Sequence, residues 1–145
     1  MQREFDFIGP QDVLYIEDHP TNVHLMQALF KRRPQLKLVV AGDGQQARRI
    51  ARSLRPGLLL VDLRLPDCHG AELLEELRQY EGYAHLPAVA VTAEPGDHLE
   101  GTSFCEVWPK PLDLAYVLDR LDRFAAMGPL FTHPERQQAA ALHPE

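Results

Sequence analysis

The stretch that decides the fold is LLLVDLRLP, residues 58–66, in which an unbroken apolar run ends in a single acid. Four successive apolar residues without alternation are typical of a strand that is buried on both faces of a sheet. Pro66 and the nearby Gly70 mark the loop that follows. Ligands bind at the carboxyl ends of strands in open α/β sheets. We therefore expect Asp62 to lie at such an edge.

Four other short apolar runs flank this strand and alternate with segments of helical periodicity. The alternation of strands and helices predicts an α/β fold, with a parallel sheet that is covered by helices on both faces. Pro20 suits the first turn of the first helix, for which Asp18, Thr21 and Asn22 are capping candidates. The predicted strands comprise residues 13–16, 36–40, 58–61, 88–91 and 106–108.

Composition narrows the class of protein further. The 145 residues are 45% hydrophobic and 25% charged, which is typical of one globular domain. A net charge of −6 argues against direct nucleic-acid binding, and no basic patch is obvious. No apolar run approaches the roughly 20 residues that span a bilayer, and no secretory signal begins the chain. We expect a cytoplasmic domain that makes no membrane contact.

The cysteines and histidines suggest no disulfide framework and no zinc site, because Cys68 and Cys105 lack CxxC spacing and the seven histidines are scattered. Gly128-Pro129 marks the end of the predicted compact part. We divide the chain into an N-terminal extension (1–11), one domain (12–127) and a C-terminal tail or linker (128–145).

Polar residues follow the predicted strands at the edge where ligands bind. They are Glu17, Asp18, Asp62, Thr92 and Lys110. Three carboxylates together need a cation, and Mg²⁺ suits them best, with Mn²⁺ as an alternative. A carboxylate can also accept a phosphoryl group as an aspartyl phosphate, and Asp62 is the best candidate. The ammonium group and the hydroxyl would then offset charge on the phosphoryl oxygens.

These motifs resemble the receiver domains of two-component response regulators and hybrid histidine kinases. The resemblance covers about residues 12–127 and implies a flavodoxin-like five-stranded parallel sheet of order 2-1-3-4-5, with helices on both faces. The matching motifs are VLYIEDHPTN (13–22), GDG (42–44) with Ala47, LVDLRLP (60–66) with Gly70, LPAVAVTA (86–93), and Lys110-Pro111.

The resemblance implies a phosphorelay. Asp62 would be the phosphoacceptor, receiving its group from the phosphohistidine of a histidine kinase or a histidine phosphotransfer domain. Glu17, Asp18, Asp62 and the backbone carbonyl of Arg64 would bind Mg²⁺. Thr92 would be the switch hydroxyl. Such a domain is a signalling module and not an enzyme in the usual sense, and homodimerisation is a further interaction that the family allows.

The same resemblance implies that Lys110 contacts the phosphoryl group and that Pro111 follows a cis peptide bond. Val107 departs from the family, which usually has Tyr or Phe at this position and moves that ring inward when the threonine engages the phosphoryl group. Trp108 is adjacent, but strand alternation directs it to the opposite face, where we expect it in the core.

A second departure is the connection between the fourth and fifth strands. Only 18 positions separate Thr92 from Lys110, about one helical turn fewer than is typical. Pro95, Gly96 and Gly101 fall where a helix belongs. We expect that fourth helix to be short or distorted and the output surface to be unusual.

Alternative interpretations remain open. A degenerate receiver would act as a phosphorylation-independent interaction module. A Mg²⁺-dependent hydrolase with an aspartyl-phosphate intermediate usually has a second acid two residues after the nucleophile, where this chain has Arg64. A flavin site would need a phosphate-binding loop in place of the acidic pair. Cys68 could have a redox role, but a small residue packed beneath its loop is favoured.

Overall fold

The computed structural model describes residues 11–93 and 99–132, the last five of them as backbone only. Five strands lie in the order β2-β1-β3-β4-β5, and every pair is parallel. The strand order and fold class predicted above are thus confirmed. The elements are β1 (Asp12–Ile16), α1 (Pro20–Phe30), β2 (Lys37–Ala41), α2 (Gly44–Ala51), β3 (Leu58–Asp62), α3 (Gly70–Leu77), β4 (Ala88–Thr92), β5 (Glu106–Pro109) and α4 (Leu114–Thr132).

The core has two halves, one on each face of the sheet. Helices α1 and α4 pack on one face and α2 and α3 on the other. All residues of β3 and β4 are buried, as their unbroken apolar runs predict. Leu60 contributes to the first half and Val61 to the second, which is the alternation expected of successive strand residues.

Strand β5 is the edge where this chain departs most from the expected pattern. Trp108 is fully buried against α4, so its prediction as a core residue is confirmed. Val107 is 37% exposed. Its neighbour Glu106 accepts hydrogen bonds from the Trp108 indole at 2.9 Å and from the Arg120 guanidinium of α4. The edge strand is therefore tied to the last helix by one carboxylate.

The connection from β4 to β5 contains no helix in its described residues, 93 and 99–105, whereas Pro95 and Gly96 lie outside the described ranges. This agrees with the prediction of a short or distorted helix. Arg78, at the end of α3, donates to the Ser103 hydroxyl at 3.1 Å and to the Leu86 carbonyl at 2.6 Å. The connection is thereby fixed to α3.

The start of α1 and the end of α4 differ from what the sequence predicts. His19 is the N-cap of α1 and makes no side-chain capping bond, so the expected cap from Asp18, Thr21 or Asn22 is wrong, although Pro20 does occupy the first turn. Helix α4 continues to Thr132, past residue 127. The division into three segments stays a prediction. No helix in the described ranges is long and apolar enough to cross a bilayer.

Gly70 allows α3 to start directly against the strand that carries Asp62. A Cβ atom at this position would lie 2.4 Å from the Asp62 carbonyl oxygen and 2.9 Å from the Leu63 Cα. Both neighbours are backbone atoms, so neither can move without displacing the end of β3.

We therefore predict that Gly70→Ala lowers the free energy of unfolding by about 2–3 kcal/mol, because a methyl group is forced into packed backbone. Urea denaturation followed by circular dichroism measures the change. Gly42→Ala is the matched control, since its Cβ would meet only the Gln46 Oε1 atom at 3.6 Å. Equal stability of the two variants would contradict the prediction.

Candidate functional site

Three carboxylates converge at the carboxyl edge of the sheet. Asp62 ends β3, and Glu17 and Asp18 follow the adjacent strand β1. One oxygen from each side chain lies within 4.8 Å of the others. Glu17 and Asp62 are buried, whereas Asp18 is exposed. The sequence predicted this cluster because parallel neighbours bring their ends to one edge.

Lys110 enters the cluster from the far side of the sheet. Its Nζ atom lies 2.9 Å from Glu17 Oε1 and 3.4 Å from Asp62 Oδ2. Its backbone N–H donates to the Thr92 carbonyl at 2.8 Å, and the peptide bond that follows it is cis, as the resemblance implies. Thr92 is itself buried at the end of β4. All five side chains singled out from the sequence therefore lie at one sheet edge.

Glu17 is held by groups that sequence reasoning missed. The Tyr15 hydroxyl donates to Oε1 at 3.1 Å, and the His19 amide and Asn22 side chain donate to Oε2 at 3.1 and 3.4 Å. Burial raises the pKa of Glu17, but the hydrogen bond and charge of Lys110, helped by His19 and Asn22, hold it below its ordinary value. Tyr15 could have been found from strand alternation, which puts positions 15 and 17 on one side.

Asp62 experiences the opposite balance. Burial and the negative charge of Glu17 raise the pKa of Asp62 to about 6, despite the Arg64 amide that donates to its Oδ1 atom at 3.2 Å and the nearby Lys110. Any further positive charge near this buried carboxylate would stabilise its ionised form. The backbone of Arg64 is thus adjacent to Asp62, and the metal-binding role of its carbonyl stays a prediction.

The donor set suits a hard divalent cation. Mg²⁺ takes oxygen ligands, binds few protein carboxylates and keeps several waters. Here two carboxylates are fixed by the sheet, and Asp18 is open to solvent on the same side. The three oxygens present would bind such an ion through Glu17, Asp18 and Asp62.

The loop after Asp62 is attached to α2 by a contact that local sequence patterns do not reveal. Asp67 accepts hydrogen bonds from the Gly44 and Gln45 amides at 2.9 and 3.0 Å, while Asp43 caps the Gln46 amide at 2.8 Å. Carboxylates at a helix N-terminus satisfy free amides and favour the helix dipole. These bonds, that from Gly44 first, lower the pKa of Asp67.

Cys68 lies in the same loop and packs beneath it. Its Sγ atom is close enough to Gly44 that a Cβ there would lie 2.6 Å away. Burial and the adjacent Asp67 carboxylate raise the pKa of the thiol to about 11. A thiol of this kind is seldom ionised and a poor nucleophile, which favours the packing interpretation over a redox role.

Comparison with known proteins identifies relatives of this chain. The family model of the response regulator receiver domain matches residues 13–102. The polar-differentiation response regulator DivK of Brucella anthropi is 32% identical over 84 residues, which are 58% of this chain and 68% of that protein. The nitrate/nitrite response regulator protein NarL of Escherichia coli is 37% identical over 71 residues, 48% of this chain. The chain spans only 33% of NarL.

Solved structures share the fold of this chain. The receiver domain of a sensor histidine kinase from Pseudomonas aeruginosa superposes with a TM-score of 0.70 at 27% identity, over 81% of this chain and 98% of that domain. That structure has a magnesium ion coordinated in the active site cleft. The chemotaxis protein CheY4 of Vibrio cholerae gives a TM-score of 0.70 at 20% identity, over 80% of this chain and 99% of that one.

The raised pKa of Asp62 predicts an effect on stability. Since the folded-state value of about 6 lies above the ordinary one, the folded state loses stability as pH rises through 6. In the presence of a chelator at pH 8, the free energy of unfolding of Asp62→Asn should be about 2 kcal/mol higher than that of the wild type. This difference should shrink below pH 5. Urea titrations at several pH values measure it. Asp119→Asn changes an exposed residue of α4 and should show no such gain. A lower free energy of unfolding for Asp62→Asn than for the wild type at pH 8 would refute the prediction.

Proposed function

The chain belongs to the response regulator receiver domain family, and on this basis we propose that it is a phosphoacceptor that takes a phosphoryl group onto Asp62 from the phosphohistidine of a histidine kinase or histidine phosphotransfer domain. The observation that carries the proposal is the position of Asp62, buried at a strand end between an acidic pair and Lys110. Receiver domains are signalling proteins and not classical enzymes.

The transfer requires a nucleophile and positive charge at the same point. An Asp62 carboxylate oxygen forms the bond to phosphorus while the bond between phosphorus and the donor imidazole nitrogen breaks, and the imidazole leaves with that electron pair. Lys110, already 3.4 Å from Asp62, offsets charge on the phosphoryl oxygens. Thr92, buried on the adjacent strand, supplies a hydroxyl donor. Bound Mg²⁺ would supply further positive charge toward the same oxygens.

A second candidate is a receiver that binds its partner whether or not Asp62 is phosphorylated. Val107 favours it, because this exposed valine provides no aromatic ring to move inward beside Thr92. The complete set of Glu17, Asp18, Asp62 and Lys110 argues for the first candidate, because a module without phosphotransfer would have no need of this costly buried charge.

Phosphorylation of Asp62 is directly testable. With Mg²⁺ and acetyl phosphate as a small donor, we expect the intact mass of the wild-type chain to increase by one phosphoryl group. Asp62→Asn should gain none, because the amide is not a nucleophile toward phosphorus. Asp119→Asn, which removes an exposed carboxylate of α4, should react as the wild type does. Equal phosphorylation of the Asp62 variant would exclude Asp62 as the acceptor.

The metal site has its own test. Asp18→Asn removes the exposed ligand candidate and leaves the buried Glu17–Lys110 pair intact, so the fold should be retained. We expect at least a tenfold weaker Mg²⁺ affinity by isothermal titration calorimetry, because one of three carboxylates is lost. Asp119→Asn, which removes an exposed carboxylate of α4 outside the cluster, is the control. Unchanged affinity in Asp18→Asn would contradict the proposed site.

A further inference from the structure

The net charge of −6 conceals a strong separation of charge along the chain. Residues 31–55 hold eight of the 15 Lys and Arg but only one of the 21 Asp and Glu, Asp43. This segment begins directly after α1 and includes the edge strand β2 and the whole of α2. Contrary to the expectation from composition, the chain therefore has a basic region, residues 31–55, in which Arg33, Arg48 and Arg55 pair with acids from other parts of the chain.

The arginines of α2 and of the turn that follows it divide into two groups. Arg48 and Arg55 pair with carboxylates of the α3 region, Glu76 at 2.7 Å and Glu81 at 3.3 Å. Arg49 and Arg52 are exposed and form no ion pair with any residue in the described ranges. Arg52 is the C-cap of α2 and keeps a helical backbone, so these two side chains, three positions apart, lie on one face.

The chemistry of this face favours carboxylates. A guanidinium group matches a carboxylate with two parallel hydrogen bonds, and Arg33, in the same basic segment, pairs with Asp122 in that way at 2.7 and 2.9 Å. The negative charge of the rest of the chain would repel a long polyanion such as duplex DNA, which extends past the basic region. A short acidic peptide can remain within it.

The surroundings of this face also argue against a bilayer or unpaired bases. Among the described residues, the large exposed hydrophobic side chains are Val107, Leu114, Tyr116 and Met127, all outside residues 31–55. The basic region thus has neither apolar anchors for lipid nor aromatic rings on which bases could stack.

We propose that the exposed face of α2 formed by Arg49 and Arg52 is a docking site for an Asp- and Glu-rich peptide segment of a partner protein. The site lies apart from the carboxylate cluster at Asp62, and its occupation does not depend on phosphotransfer there.

The test uses the full chain and a short fluorescein-labelled oligoglutamate, with binding followed by fluorescence anisotropy at low ionic strength. We expect Arg52→Gln to raise the dissociation constant about threefold and the double change Arg49→Gln with Arg52→Gln to raise it roughly tenfold. Arg123→Gln removes the same charge from exposed α4 and should bind as the wild type does.

Two outcomes would overturn the proposal. Equal weakening by Arg52→Gln and Arg123→Gln would mean that the peptide responds to overall charge and not to α2. Tighter binding of duplex DNA or phosphatidylserine vesicles than of the peptide, at the same ionic strength, would mean that an acidic peptide is not the ligand of this face. All three variants change exposed side chains, and circular dichroism checks that each retains the fold.

Discussion

The ammonium group of Lys110, held between two buried carboxylates, is the contact on which the carboxyl edge of this sheet depends. Without it, Glu17 and Asp62 would be two buried carboxylates with no cation between them, which is costly. Lys110 follows β5, whereas Glu17 follows β1 and Asp62 ends β3, so β4 lies between the lysine and the acids. The backbone bond from Lys110 to Thr92 fixes where the long side chain starts. The strand order is thus part of the electrostatic arrangement.

The site is asymmetric in its surroundings. Toward β1, Glu17 is restrained by Tyr15, His19 and Asn22. Toward β5, Arg78 reaches across from α3 and donates to the Ser103 hydroxyl in the connection, at the surface of the molecule. On the β1 side, a change of charge at Asp62 therefore acts on a Glu17 side chain that is restrained by hydrogen bonds. On the β5 side, it acts on a connection that is held by surface contacts. Motion that follows such a change is expected to favour the second side.

The sequence was sufficient to predict the strands, and the resemblance to receiver domains supplied their order, but neither predicted contacts that the chain makes across long separations. Unbroken apolar runs predicted buried β3 and β4, and topology then implied the meeting of Glu17, Asp62 and Lys110. The bond from Asp67 to α2 spans 23 residues and has no local signature. The net charge of the chain did not predict the basic face of α2, because the acidic residues elsewhere outnumber its arginines. Asn22 was expected to cap a helix, but it donates to Glu17 instead.

The attachment of Asp67 to the first turn of α2 has a consequence for how this chain can be observed. The Gly44 and Gln45 amides are shielded by a carboxylate that belongs to the loop after Asp62. Their rate of hydrogen exchange with solvent is therefore set by opening of that loop as well as by fraying of their own helix. Two backbone amides of α2 thus form a built-in spectroscopic reporter of a loop that neither of them belongs to.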